Sequence, residues 1–309
     1  MSRENRSPHR QAVAVALLVT FLWSSSWVLI RWGLDGEALE PVTFAALRYG
    51  LAASILVGWV LSRRSMRHSI AHLDRSSLLQ IVVLGVVFYA VTQGAQFVAI
   101  DNQPAATTSL VLSWTPLLVA ALGSRTISEE VTMRQVGGTL LVIAGASFFF
   151  AGGLGATAVG MTAALVGLAA NVTSSLLGRH INRAADISPV VITTLSMAVG
   201  SMMLMAVGTG TEGMPSVSAR AWAIIAWLAV VNTALAFTLW NYSLRRLSAL
   251  ESSVINNTML IQIALLAWIF LSESPGVAGA AGIVLVSLGV LLSQAPRRRT
   301  AQPMKNPPR

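Results

Sequence analysis

The sequence predicts an all-α membrane protein of ten transmembrane helices, arranged as two five-helix repeats that are inverted relative to each other. Three observations support this fold class. The 309-residue chain is 54% hydrophobic and 11% charged, with a mean hydropathy of +0.68, whereas a soluble domain carries about 25% charged residues. Ten apolar segments follow one another with short connections. A sequence pattern also recurs after 144 residues, which is close to half the chain.

The composition excludes several classes of function. The sequence contains no Cys, which rules out disulfides, thiolate chemistry and Cys-ligated metals. The net charge is +9, but the basic residues lie between apolar runs and form no exposed basic face. We therefore expect no nucleic acid among the partners. The partner that the apolar segments require is a lipid bilayer.

A membrane helix needs ~20 apolar residues, and ten segments qualify, the fifth and tenth only marginally because they are short and rich in Gly and Ala. Their ranges are 12–32, 41–61, 77–98, 104–123, 136–151, 158–178, 188–208, 220–243, 249–271 and 276–293. The first follows the polar residues MSRENRSPHR and could be a signal peptide. Its apolar length and the lack of a clear small-residue cleavage site favour a membrane span.

The basic residues indicate the orientation, because cytoplasmic loops carry an excess of Lys and Arg. With the N-terminus inside, eighteen of the 21 basic residues fall in cytoplasmic tails and loops. They are Arg3, Arg6, Arg10, Arg63, Arg64, Arg67, Arg75, Arg125, Arg134, Arg179, Arg183, Arg245, Arg246, Arg297, Arg298, Arg299, Lys305 and Arg309. We expect a multi-pass protein of the cell membrane, here the bacterial cytoplasmic membrane, with both termini in the cytoplasm.

Two stretches 144 residues apart carry the repeat. In each, a Glu is followed nine residues later by a Gly and seven residues after that by another: Glu129, Gly138 and Gly145, then Glu273, Gly282 and Gly289. Because each half has five spans, an odd number, the second half must be inverted, which is a plan of secondary transporters. The predicted units are a cytoplasmic tail of residues 1–11, a first repeat of residues 12–151, a second repeat of residues 158–293 and a basic cytoplasmic tail of residues 294–309.

The paired glycines predict a close helix contact. Gly138 and Gly145 lie on one face of the fifth span, as Gly282 and Gly289 do on the tenth, because seven residues are about two helical turns. Small residues let helix backbones approach closely in a membrane. The two spans therefore pack against each other, or against a second protomer in a homodimer.

Polar residues within spans indicate where a cavity lies, because unpaired polar groups in lipid are costly. Spans one, three, four, six, eight and nine are the polar ones, so we expect them to form the cavity wall and the other four to be scaffold. The candidate substrate-binding residues are Trp23, Trp27, Tyr89, Gln93, Trp114, Asn171, Asn232, Trp240 and Asn256. Aromatic faces beside amides suit a small amphipathic solute such as an amino acid. The alternative is that the amides bond neighbouring helices and the Trp residues fill the core.

Arg48 is a charged residue several positions inside span two, and Ser196 occupies the corresponding position of the second half. It can extend to the membrane surface, pair with an outer-loop acid, or bind an anionic group of the cargo. No Asp, Glu or His lies in the middle of a predicted span. The sequence therefore favours uniport, exchange or weakly coupled export over a dedicated proton pump.

Enzyme chemistry finds no support. The sequence contains neither HExxH nor GxSxG, and Lys305 is its sole Lys, which excludes a phosphate-binding GK[ST] loop. His68 and His72 have the spacing of two metal ligands on a helix, but in a short Arg-rich loop we favour a solvated face. We expect no catalytic residue, no metal site and no cofactor.

The chain resembles the EamA family of the drug/metabolite transporter (DMT) superfamily in the order and spacing of residues spread over 12–293. In the first half these are WSSSW from Trp23 to Trp27, Arg31, Pro41, Arg48, Ala105, Pro116, Glu129 to Thr132, Gly138 and Gly145. The second half repeats part of this set as Arg179, Pro189, Ala249, Glu273, Gly282 and Gly289. It departs from the pattern where Asn171 and Ser196 stand in place of Trp and Arg.

The resemblance implies ten spans, a central cavity between the two repeats, and efflux of small metabolites by alternating access. Amino acids and their derivatives are common cargo of such proteins. The alternative function, from another class, is a membrane sensor or accessory subunit that uses the same scaffold without transporting anything.

Overall fold

The computed structural model describes residues 3–34, 41–103, 105–126, 132–150, 156–184, 187–212, 216–271 and 276–294. Regular secondary structure in these ranges is helical. The first half contains α1 (Arg3–Leu34), α2 (Pro41–Ser62), α3 (Arg64–Ala71), α4 (Arg75–Gly85), α5 (Thr92–Asn102), α6 (Ala105–Leu112), α7 (Thr115–Thr126) and α8 (Met133–Phe150). The second half contains α9 (Ala158–Ala184), α10 (Pro189–Glu212), α11 (Ala219–Trp227), α12 (Ala236–Leu244), α13 (Ala249–Asn256), α14 (Met259–Leu271) and α15 (Val277–Gln294).

Six helical runs in the described ranges are long and apolar enough to cross a membrane. They are Pro8–Ile30, Val42–Ser62, Arg75–Gln96, Ala158–Arg183, Pro189–Gly208 and Ala219–Leu244. Two shorter apolar helical stretches cover Leu110–Gly123, which includes the turn between α6 and α7, and Val277–Leu292. The all-helical membrane class predicted from composition is thus confirmed. The other predicted spans fall on helices that are shorter or interrupted.

Two of the predicted spans are interrupted at positions 144 residues apart. A turn at Ser113–Trp114 separates α6 from α7, and a turn at Asn257–Thr258 separates α13 from α14. Pro116 explains the first turn, because it has no N–H to donate to the carbonyl of Leu112. The hydroxyl of Thr115 donates to that carbonyl instead, over 2.7 Å, and such side-chain bonds compete with the helical ladder.

Two π-helical segments occur at corresponding positions as well. One covers Val86–Val91 between α4 and α5, and the other covers Leu228–Leu235 between α11 and α12, so that their last residues are also 144 apart. The hydroxyl of Thr92 donates to the carbonyl of Val87, five residues earlier, over 2.8 Å. Segments of this kind are frequent at functional sites, and both lie beside the cavity described below.

Helices α8 and α15 pack directly against each other, which is the first of the two arrangements predicted for the paired glycines. A methyl group at Gly145 would lie 2.7 Å from the carbonyl oxygen of Gly282, and one at Gly289 would meet the carbonyl oxygen of Gly138. Only a residue without a side chain allows this approach. The other landmarks of the repeat, Glu129 and Glu273, lie outside the described residues. A homodimer stays a prediction.

Large apolar side chains cover the outer surface of the helix bundle, whereas many polar side chains are buried in its interior. Leu79 and Met202 are largely exposed, while Thr193, Ser196 and Asn232 are fully buried. In a water-soluble protein, polar residues are mostly exposed. The reversed distribution is what a hydrocarbon environment requires, because it cannot hydrogen-bond polar groups.

Candidate functional site

A cavity of about 440 Å³ lies between the two halves of the chain. Its wall is built from α1, α2, the run from α4 to α7, α9, and the run from α12 to α14. The lining side chains are aromatic, hydroxyl-bearing, amide-bearing or aliphatic, with Arg48 as the charged member. A volume of this order accommodates a small organic molecule.

The wall includes one helix that the polarity of the spans does not predict. Spans one, three, four, six, eight and nine contribute lining residues, and so does α2, through Ala45, Arg48 and Tyr49. The expectation that span two belongs to the scaffold is therefore wrong. A count of polar residues misses α2 because the helix is almost entirely apolar, and two adjacent residues give it its polar patch.

Five of the candidate residues have side chains on the wall: Trp23, Gln93, Asn171, Trp240 and Asn256. The side chain of Trp27 lies outside the described residues. The remaining three, Tyr89, Trp114 and Asn232, occupy other places, which are described in turn below.

Tyr89 lies behind the wall in an aromatic cluster. Its ring is 1% exposed, and its centroid is 5.9 Å from that of Tyr49 and 5.0 Å from that of Phe237. Tyr49 and Phe237 are themselves lining residues. Tyr89 thus supports two aromatic rings of the wall from behind.

Trp114 lies at the turn between α6 and α7, and its side chain is 44% exposed. It is not among the residues that line the cavity in the described part of the chain. Its neighbour Thr115 does line the cavity and accepts a hydrogen bond from the side-chain amide of Asn171 over 3.2 Å. The polar contact at this turn is therefore made by Thr115.

Asn232 is fully buried and bonds to α1. Its Nδ2 donates to the carbonyl of Leu22, to Ser25 Oγ over 3.0 Å and to Ser26 Oγ over 3.1 Å. These contacts hold the second π-helical segment against the middle of α1. Of the two roles that the sequence leaves open for this amide, the structure has it joining helices.

Aromatic rings cover one side of the cavity. The ring of Trp23 lies 4.8 Å from that of Phe237 and 5.1 Å from that of Trp240, both tilted, and Phe88 lies 5.5 Å from Phe237. Aromatic rings that meet at a tilt over these distances attract each other, and this attraction adds to the stabilisation from burying their apolar surface. The indole Nε1 of Trp23 finds no acceptor in the described part of the chain. This side of the wall can enclose an apolar group.

Arg48 is 7% exposed, and its side chain lines the cavity. Its Nε donates to Thr233 Oγ1 over 2.7 Å, and its Nη2 lies 3.4 Å from both Ser26 Oγ and the carbonyl oxygen of Asn232. The guanidinium carbon lies 5.4 Å from the ring centroid of Tyr49. Neutral groups therefore hold this buried charge in place.

The surroundings of Arg48 narrow the alternatives that the sequence leaves open. A side chain buried to this extent does not extend to the membrane surface. Among the described residues, no carboxylate lies within ion-pair distance of it. The outer-loop acids Asp35, Glu37 and Glu40 lie outside the described residues. The third alternative, a role toward an anionic group in the cavity, agrees with its position.

Side-chain hydrogen bonds also join α1 to α14 beside the cavity. Ser24 Oγ donates to Gln262 Oε1 over 2.9 Å, and Gln262 Nε2 donates to Thr20 Oγ1 over 3.2 Å. Thr20 and Thr258 share a further hydrogen bond of 3.2 Å between their hydroxyls. Because α1 and α14 come from different halves, these bonds lock the halves together in this conformation.

The described residues contain no cluster of three or more side chains that could hold a metal ion. His68 and His72 lie on the exposed face around α3 with ring centroids 4.0 Å apart. No third Asp, Glu or His joins them in the part of the chain that the structure describes.

The profile of the EamA-like transporter family matches this sequence twice, over residues 10–151 and again over residues 159–294. The chain belongs to the EamA-like transporter family. The resemblance seen in the sequence is thereby confirmed, as is the prediction of a transporter rather than an enzyme. Because members of this family are membrane transporters, the cavity is the candidate site for a small molecule.

Individual relatives agree with the family. The chain is 26% identical over 294 residues to a probable terminal-alkyne amino-acid exporter of Streptantibioticus cattleyicolor, covering 90% of this chain and 93% of that protein. It is 25% identical over 292 residues to an S-adenosylmethionine/S-adenosylhomocysteine transporter of Chlamydia trachomatis serovar L2, covering 89% and 87%. It is 25% identical over 262 residues to the uncharacterized transporter YyaM of Bacillus subtilis (strain 168), covering 82% and 84%.

A solved crystal structure has the same fold. The two chains superpose with a TM-score of 0.75 at 20% sequence identity, covering 92% of this chain and 96% of the other. At this level of identity the likeness concerns the fold alone.

Proposed function

We propose that this EamA-like transporter exports small organic metabolites of the amino-acid type across the bacterial cytoplasmic membrane, with the central cavity as its cargo site. The observation that carries the proposal is the cavity of about 440 Å³ between the halves, lined by aromatic rings, neutral amides and hydroxyls. A site of this composition encloses an apolar group and hydrogen-bonds a polar one. Two relatives, a probable terminal-alkyne amino-acid exporter and an S-adenosylmethionine/S-adenosylhomocysteine transporter, support the same class of cargo.

The cargo contacts follow from the wall. We propose that the rings of Trp23 and Trp240 enclose the apolar part of the cargo, and that the amides of Gln93, Asn171 and Asn256 bond its polar part. Amide groups both donate and accept hydrogen bonds, so they suit the mixed groups of an amino acid.

The other four candidates have different positions relative to that wall. Tyr89 and Asn232 act from behind it, by supporting rings and by holding α1. Contact of the cargo with Trp27 and Trp114 remains a prediction.

Alternating access is proposed to arise from two inverted repeats of five spans each, residues 12–151 and 158–293, with both termini cytoplasmic. Three observations support this arrangement. The family profile matches each half separately, the helix interruptions and π-helical segments recur after 144 residues, and the distribution of basic residues favours opposite orientations of the halves. Inverted repeats that enclose a site near the membrane midplane allow it to open to either side in turn.

The interrupted helices are the proposed moving parts. The turns at Ser113–Trp114 and Asn257–Thr258 both border the cavity through Ser113 and Asn257. Discontinuous helices at the midplane are common where transporters bind cargo. A change of angle at either turn would reshape the site while α8 and α15 stay packed.

Transport assays in liposomes test the proposal. The purified protein is reconstituted and counterflow is measured with a panel of labelled amino acids and sugars. We expect exchange of at least one amino acid, reduced by Asn171→Ala and unchanged by Trp222→Ala, which alters an exposed side chain of α11. If no solute exchanges although the protein is folded and inserted, the transporter assignment of this chain is wrong and the sensor or accessory role takes its place.

A further inference from the structure

We propose that Arg48 binds the carboxylate of the cargo, so that the cavity accepts solutes with a free carboxylate and rejects the same solutes when that group is masked. This inference rests on the proposed transport function and adds to it the chemical group by which cargo is selected.

Arg48 leaves some of its hydrogen-bond donors unused in the described structure. A guanidinium has five N–H groups in a fixed fork. The described partners engage Nε and Nη2, through Thr233, Ser26 and the carbonyl of Asn232. No described group accepts from Nη1, although 93% of the residue is removed from solvent. The open donors belong to a side chain on the cavity wall, and a carboxylate is the acceptor that suits Nη1 best, because hydrogen bonds between two charged groups are the strongest.

The described cavity wall carries an unbalanced positive charge. Arg48 is the charged residue among the described lining residues, and none of them is Asp or Glu. A buried charge surrounded by neutral dipoles is costly until an opposite charge pairs with it. An entering carboxylate supplies that charge. A cargo that carries only a positive charge is repelled by Arg48 and finds no acid on the described wall to offset the repulsion.

Hydrogen bonds on two sides of the guanidinium fix the position of Arg48. The side-chain nitrogen of Asn232 donates to Ser26 over 3.1 Å, and the backbone carbonyl of Asn232 accepts from Arg48 Nη2. The next residue in the chain, Thr233, accepts from Arg48 Nε. These contacts orient the guanidinium through its Nε and Nη2 sides and leave Nη1 as the open side. The amides of Asn171 and Asn256 can accept from a cargo amine without compensating its charge. The carboxylate is therefore the required group and the ammonium the dispensable one.

The experiment uses wild-type protein in proteoliposomes and the amino acid that gives the largest counterflow in the panel. The same labelled exchange is competed with the free amino acid, its N-acetyl derivative, its methyl ester and its amide. We expect competition by the free acid and the N-acetyl derivative, and competition weaker by about 10- to 100-fold from the ester and amide, as expected for loss of a charge-assisted hydrogen bond. Equal competition by acid and ester overturns the inference and leaves the transport function standing.

Variants separate recognition from folding. Arg48→Gln should lose the preference for the free acid over the ester, while Arg48→Lys should keep a reduced preference, because it retains the charge but not the fork. Arg220→Gln, at an exposed residue of α11, is the matched control and should behave as wild type. A purely structural role of Arg48 would lower transport of acid and ester by the same factor. If the panel shows cargo without a carboxylate, the inference fails while the transporter remains. If no solute exchanges, both fail.

Discussion

The side-chain amide of Asn257 donates a hydrogen bond over 3.1 Å to the backbone carbonyl of Ser113, the residue that lies 144 positions earlier. Ser113 directly follows α6 and Asn257 directly follows α13, so each begins the turn that interrupts its span. In a continuous helix that carbonyl would accept from the N–H of Leu117, which donates to Trp114 instead. The bond thus satisfies a backbone group left free by one interruption with a side chain from the other, and it joins the two halves at the cavity.

Replacing Asn257 by Ala should weaken this connection. The variant leaves the buried carbonyl of Ser113 without its partner, and we expect a loss of about 1–3 kcal/mol in stability, seen as a lower melting temperature in detergent. Asn102→Ala is the control, because that amide bonds only within its own helix, to Val98. Equal melting temperatures for the two variants would argue against a role for the Asn257 bond.

Replacing Trp23 by Ala should weaken cargo binding. The change removes a ring that contacts both Phe237 and Trp240, and we expect KM to rise about tenfold with little change in expression. Trp114→Ala serves as the comparison, since that ring lies off the described wall. If Trp114→Ala raises KM and Trp23→Ala does not, the cargo lies at the helix interruption and outside the cavity.

The contact between α8 and α15 should tolerate no side chain. Gly145→Ala places a methyl group against the carbonyl of Gly282, which we expect to cost about 1–3 kcal/mol because backbone must move. Gly58→Ala is the matched control, as its added methyl meets nothing within 4 Å. Size-exclusion profiles and melting temperatures check this, and indistinguishable variants would contradict the packing.

Labelling of single Cys residues tests the proposed orientation, and the absence of native Cys makes the background low. Arg64→Cys in α3 should react with a membrane-impermeant maleimide only after the cells are opened. Ser216→Cys, just before α11, should react in intact cells. The opposite pattern would reverse the topology, and labelling of both positions in intact cells would refute the odd number of spans, five, between α3 and Ser216.

Transport should not depend on a titrating group in the cavity. No described lining residue is Asp, Glu or His, so we expect counterflow to vary little between about pH 6 and 8, where an ordinary His changes charge. The measurement is exchange at equal pH on both sides, with and without a protonophore. A steep pH dependence, or abolition by the protonophore, would indicate proton coupling through a group outside the described wall.

Much of the fold follows from the sequence because the bilayer imposes strong constraints. Segments of sufficient apolar length have to become helices, and polar residues within them have to face inward. These rules place Trp23, Gln93, Asn171, Trp240 and Asn256 inside the protein, and all five line the cavity. They do not distinguish a side chain that faces a cavity from one that faces a neighbouring helix.

Asn232, Tyr89 and Arg48 illustrate that distinction. Asn232 is as polar as Asn171, yet its side-chain nitrogen donates to three acceptors on α1, and the ring of Tyr89 packs in the aromatic cluster. Arg48 belongs to a helix, α2, whose other residues are mostly apolar. Its hydrogen-bond partners Ser26 and Thr233 come from α1 and from the second π-helical segment, and only the packing of these elements brings them to the guanidinium.

The sequence by itself determined the membrane class, the approximate helices and the duplicated pattern, because length, hydropathy and charge act locally along the chain. The tertiary structure alone decided which polar groups satisfy each other and which face the cavity. That choice depends on how helices from the two halves rotate and approach, as where Asn257 reaches Ser113. Hydrogen bonds between residues 144 positions apart are properties of the packed protein, and no local pattern specifies them.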